Sequence, residues 1–515
     1  MKMPITFALC ICAVASGWAV AGDVGIHSMV LGRQALELVD NRQLTFHAHG
    51  EVKWAWISPS GRWVVYATER PGESTRLSLI ASSGKGRPRT IWESQIIEDP
   101  KPGDEFWLVG RLGRGTGLAW SPDSRRVALP VHHVAVVPGG VTEHGIAILD
   151  VTRRKPCPPP PLFFPVTPDG HHWLESLVWS LDSRTIAGNF TVYGKQDEAA
   201  IFLFDLSQAS ARRLFAFPRP VGGGTLLDLE GWTGDGKSVL ISMYEENDHV
   251  LRKVPVAGGE PVVIEQHYDP GERSPDRLFR HMVERSREGI SIENCTTGET
   301  VEISKSPNTR FLGWSPNSKM FAYRRSETIS DEVNQRTKTL STLWLGCVET
   351  HKLNHMCVAL DSDCWWDEEL TWSPDCSKMA YVRDGRACVA EFTWRPPTSR
   401  EKLAAGIPLA EDEYEKVLAR SAKQIGNALE MYRDDQEGRV PTSETVMQDL
   451  LPYLKQLPEL PIDFRDMFGM FQYFPPPPLD QIRSPAETIV GLMDAGYDWQ
   501  IVLYADGHVG LIAKQ

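Results

Sequence analysis

Between residues 40 and 400 the chain alternates short apolar runs with tight polar breaks, and one phrase of that alternation returns six times. An apolar strand is followed by Ser-Pro-Asp or a close variant, then Gly or Ser, a basic residue and a second apolar strand. The copies read WISPSGRWVVYA, LAWSPDSRRVAL, LVWSLDSRTIAG, EGWTGDGKSVLI, LGWSPNSKMFAY and LTWSPDCSKMAY. The residue before each turn is Ile57, Trp120, Trp179, Trp232, Trp314 and Trp372. The spacings are 63, 59, 53, 82 and 58 residues. The spacing of 82 predicts a degraded copy midway, and RSPDRLFRHMVE stands there with Arg273 in the Trp position. Pro presets the backbone of a tight turn, and Asp or Asn tolerates the bridging conformation after it. Pro59, Pro122, Asp123, Asp182, Asp235, Pro275, Asp276, Pro316, Pro374 and Asp375 are therefore read as structural hairpin residues.

The unit at 232–272 shows the whole repeat: EGW, turn, SVLISMYE, then VLRKVPV, a second turn, then PVVIEQH. Four strands at a period of about 41 residues match one propeller blade. The W-S-P-D-[GS]-[KR] phrase followed by an apolar strand resembles the WD40-like repeat of the TolB propeller family, over about residues 40–400. The resemblance implies a mainly β fold, a seven-bladed β-propeller, with six blades as the alternative if the first or fifth motif lies outside the ring. The last unit has no evident fourth strand. QALELV or QLTFHAH near the N-terminus is expected to supply it, closing the ring and removing the free sheet edges.

Where the spacing exceeds the minimal period, extra sequence follows the second or fourth strand of a unit. QIIEDPKPGDEFWLVGRLGRG, VPGGVTEH, the stretch ending TPDGHHWLES, PRPVGGGTLLD, TISDEVNQRTKT and DSDCWWDEE are these insertions. Because strands in a blade alternate direction, such loops emerge on one face, opposite the Ser-Pro-Asp turns. Long loops on one face of a rigid scaffold are a common binding site. Trp107, Trp365 and Trp366 are the candidate contacts to a protein or cell-wall saccharide partner; the alternative is that they anchor their own loops.

After residue 400 the pattern changes. From Glu411, apolar residues recur at helical spacing (Tyr414, Leu418, Ala422, Ile425, Leu429, Tyr432) up to Gly438, and Val446 to Leu454 predicts a short second helix. ETIVGLM, WQIVLYA and HVGLIAK predict three strands, the last two joined by Asp506-Gly507. This is an α+β module. AKQIGNALEMYRDDQEGRVPTS with VLYADGHVGLI resembles the globular head of prepilin-like (pseudopilin) proteins, over about residues 411–515. The apolar stalk of that family does not precede it, so the resemblance implies a head that forms no filament by itself. Asp494 and Asp498 stand where a calcium role is conceivable, but the ligand pattern is not evident.

Composition narrows the function. Lys plus Arg is 54 and Asp plus Glu is 67, a net charge of −13, which gives no electrostatic reason to seek nucleic acid. MKMPITFALCICAVASGWAVAGDV has the charged start, apolar run and small-residue cleavage site of a secretory signal. The expected organisation is a signal peptide at 1–21, a propeller at 22–400, a linker at 401–412 and a pseudopilin-like head at 413–515. No membrane span is expected after cleavage, and the location is periplasmic or extracellular. Seven cysteines then remain, with one or two disulfides among Cys347 to Cys388 set against buried free thiols.

No catalytic residue, metal ligand or cofactor site is identified. The G-x-S-x-G elbow of a hydrolase partner domain is missing from the sequence. His132-His133 and His171-His172 are the visible acid–base candidates, and adjacent histidines on a strand face opposite ways. The expectation is a non-catalytic binding or scaffold protein. The alternative is a hydrolase or lyase acting on polysaccharide or peptide in the central well.

Overall fold

The computed structural model describes residues 28–513, apart from 46–50, 70–74, 95–100, 110–116, 137–140, 154–161, 194–197, 219–226, 267–273, 283–288, 332–335, 348–353, 363–369, 405–408, 455–470, 477–481, 495–498 and gaps of three residues or fewer. Two compact units divide it. One comprises 38–353 and 357–393; the other comprises 394–515 with the chain up to Glu37 and 354–356.

The larger unit is a succession of antiparallel sheets, each built from consecutive strands. Sheet one runs β3 (Glu51–Ile57), β4 (Trp63–Glu69), β5 (Arg76–Ala81), β6 (Arg89–Glu93). Sheet two holds β7 (Glu105–Val109) and β8 (Ala119–Trp120), both paired to β9 (Arg126–Ala135), then β10 (Val141–Asp150) and β11 (Leu162–Thr167). Sheets three and four are β12–β15, from His171 to Pro218, and β16–β19, from Leu227 to Gln266. Within sheet four, β16 is Leu227–Trp232, β17 is Ser238–Glu245 and β18 is Asp248–Pro255. Sheet five contains β20 (Phe279–Met282), β21 (Ile290–Asn294) and β22 (Thr300–Ser304). Sheet six is β23 (Thr309–Trp314), β24 (Met320–Asp331), β25 (Arg336–Cys347) and β26 (Asn354–Ser362).

The last sheet closes the array. β27 (Thr371–Trp372), β28 (Lys378–Arg383) and β29 (Arg386–Arg395) are followed not by the next stretch of chain but by β2 (Gln34–Gln43), with β1 (Ser28–Leu31) outside it. The N-terminal strand thus completes the C-terminal sheet, as the missing fourth strand required. Asn41 of β2 accepts a hydrogen bond from Tyr381 Oη at 2.6 Å and donates to the Val358 carbonyl of sheet six. This is a β-propeller, and seven of the eight sheets among the described residues belong to it.

In sheets two, three and four the recurrent Trp joins the sheet to the one before, whereas the Trp372 indole N–H of the last sheet is buried with no hydrogen-bond partner among the described residues. Trp120 Nε1 donates to the Trp56 carbonyl at 3.1 Å, Trp179 Nε1 to Ala119 at 2.9 Å, and Trp232 Nε1 to Val178 at 3.1 Å. Each acceptor lies one residue before the motif position of the preceding sheet. Sheet one has Ile57 there, which has no side-chain donor. Thr371 of the last sheet substitutes: its hydroxyl accepts from the Ile57 N–H at 2.9 Å and donates to the Ala55 carbonyl at 3.3 Å.

Side-chain hydrogen bonds close the turns. Ser121 Oγ donates to Asp123 Oδ1 at 2.5 Å and accepts the Arg126 N–H at 2.9 Å; Asp123 Oδ1 also accepts the Arg125 N–H. Ser180/Asp182, Thr233/Asp235, Ser315/Asn317 and Ser373/Asp375 repeat the arrangement. The special backbone conformation falls on the residue after Asp. Gly61, Ser124, Ser183, Gly236, Ser318 and Cys376 have φ between 57° and 67°, the left-handed step that follows a type I turn in a hairpin. Serine there adds a contact between neighbouring turns, since Ser124 Oγ accepts the Ser60 N–H at 2.8 Å. The degraded copy makes its turn too: Phe279 N–H donates to Ser274 Oγ at 3.0 Å. Its β20–β22 are the strands after the turn; Arg273 and Asp276 lie outside the described residues.

Three expectations change. The stretch Glu105–Val109 is not loop: it pairs with β9 from Glu105↔Ala135 to Val109↔Val131. The inner strand of sheet two is split where other inner strands carry a bulge, at Val52/Trp54, Leu174/Ser176, Leu229/Gly231 and Phe311/Gly313. A bulge already interrupts the ladder, so extra residues enter there at little cost. Cys376 and Cys388 are buried thiols outside any disulfide, and burial pushes Cys388 up to about 11. Cys157 and Cys364 lie outside the described residues, as do residues 1–27 with the expected signal. The expected linker carries a helix, α1 (Ser399–Ala404). Glu401 of α1 takes two hydrogen bonds from Arg395, at 2.6 and 2.7 Å.

In the smaller unit, α2 (Glu411–Asp435) and α3 (Val446–Leu454) stand as expected, together with the three strands β31 (Ile489–Asp494), β32 (Trp499–Tyr504) and β33 (Val509–Ala513). A fourth, β30 (Phe471–Tyr473), pairs with β31. Leu418, Ala422 and Ile425 of α2 pack with Leu450 and Leu454 of α3 and with Ile501 and Leu503 of the sheet. No helix among the described residues is long and apolar enough to cross a membrane.

Trp179→Phe keeps the ring but orphans the Ala119 carbonyl. It should lower the unfolding free energy by about 1–3 kcal/mol, read from urea denaturation; an unchanged midpoint would remove the indole bond from the inter-sheet ties. The turn carboxylates give a second expectation. At Asp182 the Ser180 hydroxyl is the main influence and holds the carboxyl below its usual range, despite some burial. At Asp123 burial opposes, and Ser121, the Arg125 N–H and Arg126 outweigh it. A lowered folded-state value means stability present above the unfolded pKa and lost as pH falls through the folded one. The thermal midpoint should drop below about pH 4, less steeply in Asp182→Asn than in the natural chain.

Candidate functional site

Antiparallel order puts the connections between second and third strands, and those from one sheet to the next, on one face of the propeller. The Ser-Pro-Asp turns occupy the other. On the first face, sheet two carries a compact polar and aromatic group. His132 and His133 are neighbours on β9 and face opposite ways, as strand geometry demands. The register sets His132 against His144 and His133 against Glu143 of β10.

On one side of the sheet His132 Nδ1 lies 2.5 Å from His144 Nδ1. One ring donates and the other accepts, so the contact requires at least one neutral imidazole on the accepting nitrogen. Burial lowers the His132 pKa. On the other side, His133 Nδ1 bonds Glu143 Oε2 at 3.0 Å, and its Nε2 stands 3.6 Å from Glu105 Oε2. Trp107 of β7 stacks on the His133 ring at 4.2 Å and meets Phe163 edge-on at 4.9 Å. The imidazole is thus fixed by a carboxylate on one edge and an indole on its face.

Sheet four carries a second group near the same face. Asp228 and Glu230 lie on β16; Tyr244 and His249 face each other across the β17–β18 hairpin, ring centroids 4.8 Å apart. Ser242 Oγ donates to Glu230 Oε1 at 2.7 Å. Asp228 is open to water along one side, yet the protein crowded around it raises its carboxyl above the usual range, with Glu230 adding to the rise and His249 opposing it.

The expected residues fall as follows. Trp107 is in a strand, half-buried against the sheet-two core. Trp365 and Trp366 lie outside the described residues. His171 and His172 are on β12, with only the backbone described at these two positions. The turn residues gather on the opposite face. Asp494 ends β31, and Asp498 lies outside the described residues. Among the described residues no three His, Cys, Asp or Glu side chains are grouped to hold a metal. Sequence reasoning missed Glu143, His144, Asp228, Glu230 and His249. The Pro-Gly-Gly break after β9 was the usable signal, because it fixes the register that brings His144 to His132.

No family profile and no curated protein matches the chain. Among solved structures, TolB from Acinetobacter baumannii is similar at 14% identity over 61% of this chain, with a TM-score of 0.30, and the chain spans 64% of that structure. Oligogalacturonate lyase from Vibrio parahaemolyticus is similar at 11% identity over 71% of this chain and 97% of that one, TM-score 0.40. Prolyl oligopeptidase B from Galerina marginata is similar at 10% identity over 65% and 47%, TM-score 0.39. At such scores the overlays add nothing to the strand order, which by itself defines the class: a β-propeller closed by its N-terminal strand.

The histidine pair yields a pH expectation. A folded-state pKa below the unfolded value means that the unfolded chain takes up the proton first, so stability is lost as pH falls through the unfolded His range near about 6.5. The urea midpoint should fall between pH 7.5 and 5, and His132→Gln should flatten that slope. An equal slope in the variant would show that other groups carry the dependence.

Proposed function

We propose that the chain is an exported, non-catalytic binding protein of the cell envelope. Its propeller presents the loop-bearing face to a protein or cell-wall saccharide partner. The pseudopilin-like character of the smaller unit belongs to the same reading.

The observation that carries it is the asymmetry of the two faces. One is paved by the same short turn in successive sheets, each held by its Ser or Thr and Asp or Asn side chains. The other bears connections that differ in length from sheet to sheet, and β24–β25 runs past its neighbour there: β23 pairs only as far as Arg325, while the β24–β25 ladder continues to Asp331↔Arg336. A rigid scaffold with variation confined to one face favours recognition.

One observation favours the second reading, hydrolysis or lyase chemistry on polysaccharide or peptide. Burial, with Glu230 adding to it, raises the Asp228 carboxyl above the usual range, the direction in which a general acid is tuned. Turnover of a glycan or peptide abolished by Asp228→Asn would establish that reading.

Photo-crosslinking residues at positions 138, 247 and 333, in the second-to-third-strand connections, should capture an envelope protein or peptidoglycan fragment in cells. The same probe at 60, 182 and 235, in the turns, should capture nothing. Equal capture from both sets, or none from either, would contradict the binding role of the loop face.

A further inference from the structure

Sheet two presents the His132–His144 pair on the face that meets sheet three. By strand alternation the pair lies in line with Ala128, Ile146 and Ile148, which pack with Leu174 of β12. The two Nδ1 atoms stand 2.5 Å apart, and the rings are almost perpendicular, at 83°. Both side chains are half-buried, so water and ions reach them.

The fold builds this approach from both sides of β10. The β9–β10 ladder runs unbroken from Val141↔Ala135 to Asp150↔Arg126 and sets the two histidines directly opposite. Toward β11 the register shifts between His144 and Gly145, and such a bulge re-aims a side chain. A Cβ at Gly145 would lie 2.1 Å from the Phe164 carbonyl oxygen, so glycine is what lets β11 close on the bulge. Leu108 opposite His132, and Pro130 and Ile146 one step along the same face, bear no charge. None of these three supplies a carboxylate to hold an imidazolium, and burial lowers the His132 pKa. With both rings neutral, moving the shared proton to the Nε2 of the donor ring leaves two Nδ1 lone pairs converging on one point.

Imidazole nitrogen suits copper, nickel and zinc. At a metal–nitrogen bond of about 2.0 Å, cis ligands of a tetragonal ion lie about 2.8 Å apart and those of a tetrahedral ion about 3.3 Å. The tetragonal ion demands the smaller opening of the observed pair, and copper(II) also stands highest in divalent affinity. We propose that His132 and His144 form a copper(II) site, with two cis imidazole nitrogens from the chain and water in the remaining positions.

Copper(II) chloride, titrated into the chelator-treated full chain at neutral pH, is the probe. The natural chain should take up one more equivalent than His132→Gln or His144→Gln, with a dissociation constant of about 10 µM or tighter. Paramagnetic resonance of that equivalent should count two nitrogens. The difference is the readout because other histidines and a free amino terminus also take copper. His133→Gln, changed on the opposite face of β9, should keep the equivalent. In the natural chain, copper should slow acylation of His132 and His144 by diethyl pyrocarbonate, mapped by peptide mass, a readout that requires no variant to fold. Equal copper uptake by the natural chain and both variants, loss of the equivalent in His133→Gln alone, or undiminished acylation of His132 and His144 would overturn the proposal.

Discussion

The first four sheets of the propeller are tied by one repeated contact, the indole N–H of one sheet donating to a backbone carbonyl of the sheet before it. A sheet can be extended by further strands, but a ring of sheets needs a fixed distance and angle between neighbours. An indole supplies both: a large apolar body to fill the space between sheets, and one donor at its tip that usually finds a partner when buried. Trp120, Trp179 and Trp232 each donate to the residue preceding the motif position of the previous sheet. The contact therefore carries a register from sheet to sheet. Where the series returns to its start and meets Ile57, Thr371 supplies both a donor and an acceptor through one hydroxyl.

That regularity explains what was legible in the sequence. The turns could be read because their chemistry is local: a hydroxyl, a proline and a carboxylate within three residues build the hairpin without help from afar. The helices at Glu411–Asp435 and Val446–Leu454 were legible because each keeps one apolar face. Closure by the N-terminal strand followed from counting strands. What escaped depended on pairing across distance. Glu105–Val109 reads as part of a long insertion until its ladder with β9 is seen. Phe471–Tyr473 is too short to show any period and is defined by its bonds to β31. The His132–His144 and Asp228–His249 relations exist only once strands are set in register.

The same division separates scaffold from function. Residues that repeat hold the ring, and they tell little about a partner because every sheet needs them. Residues that do not repeat lie toward the loop-bearing ends of the first three strands of a sheet: the His133–Trp107 stack, the paired imidazoles, and the acidic pair on β16. These groups are fixed by neighbours in their own sheet, so a partner meeting that face meets a preformed surface. Rigidity of this kind reduces the entropy lost on binding, which suits recognition and equally suits an acid–base group, the reason Asp228 separates the two readings.

Amide hydrogen exchange followed strand by strand tests the closed ring most directly. Closure by β2 predicts that amides of residues 34–43 exchange as slowly as those of β29 and of the middle strands of the other sheets, in one cooperative class. Exchange of 34–43 at the rate of the surface loops, with β29 still protected, would contradict it: the last sheet would then be open, and the ring would not be closed by its N-terminal strand.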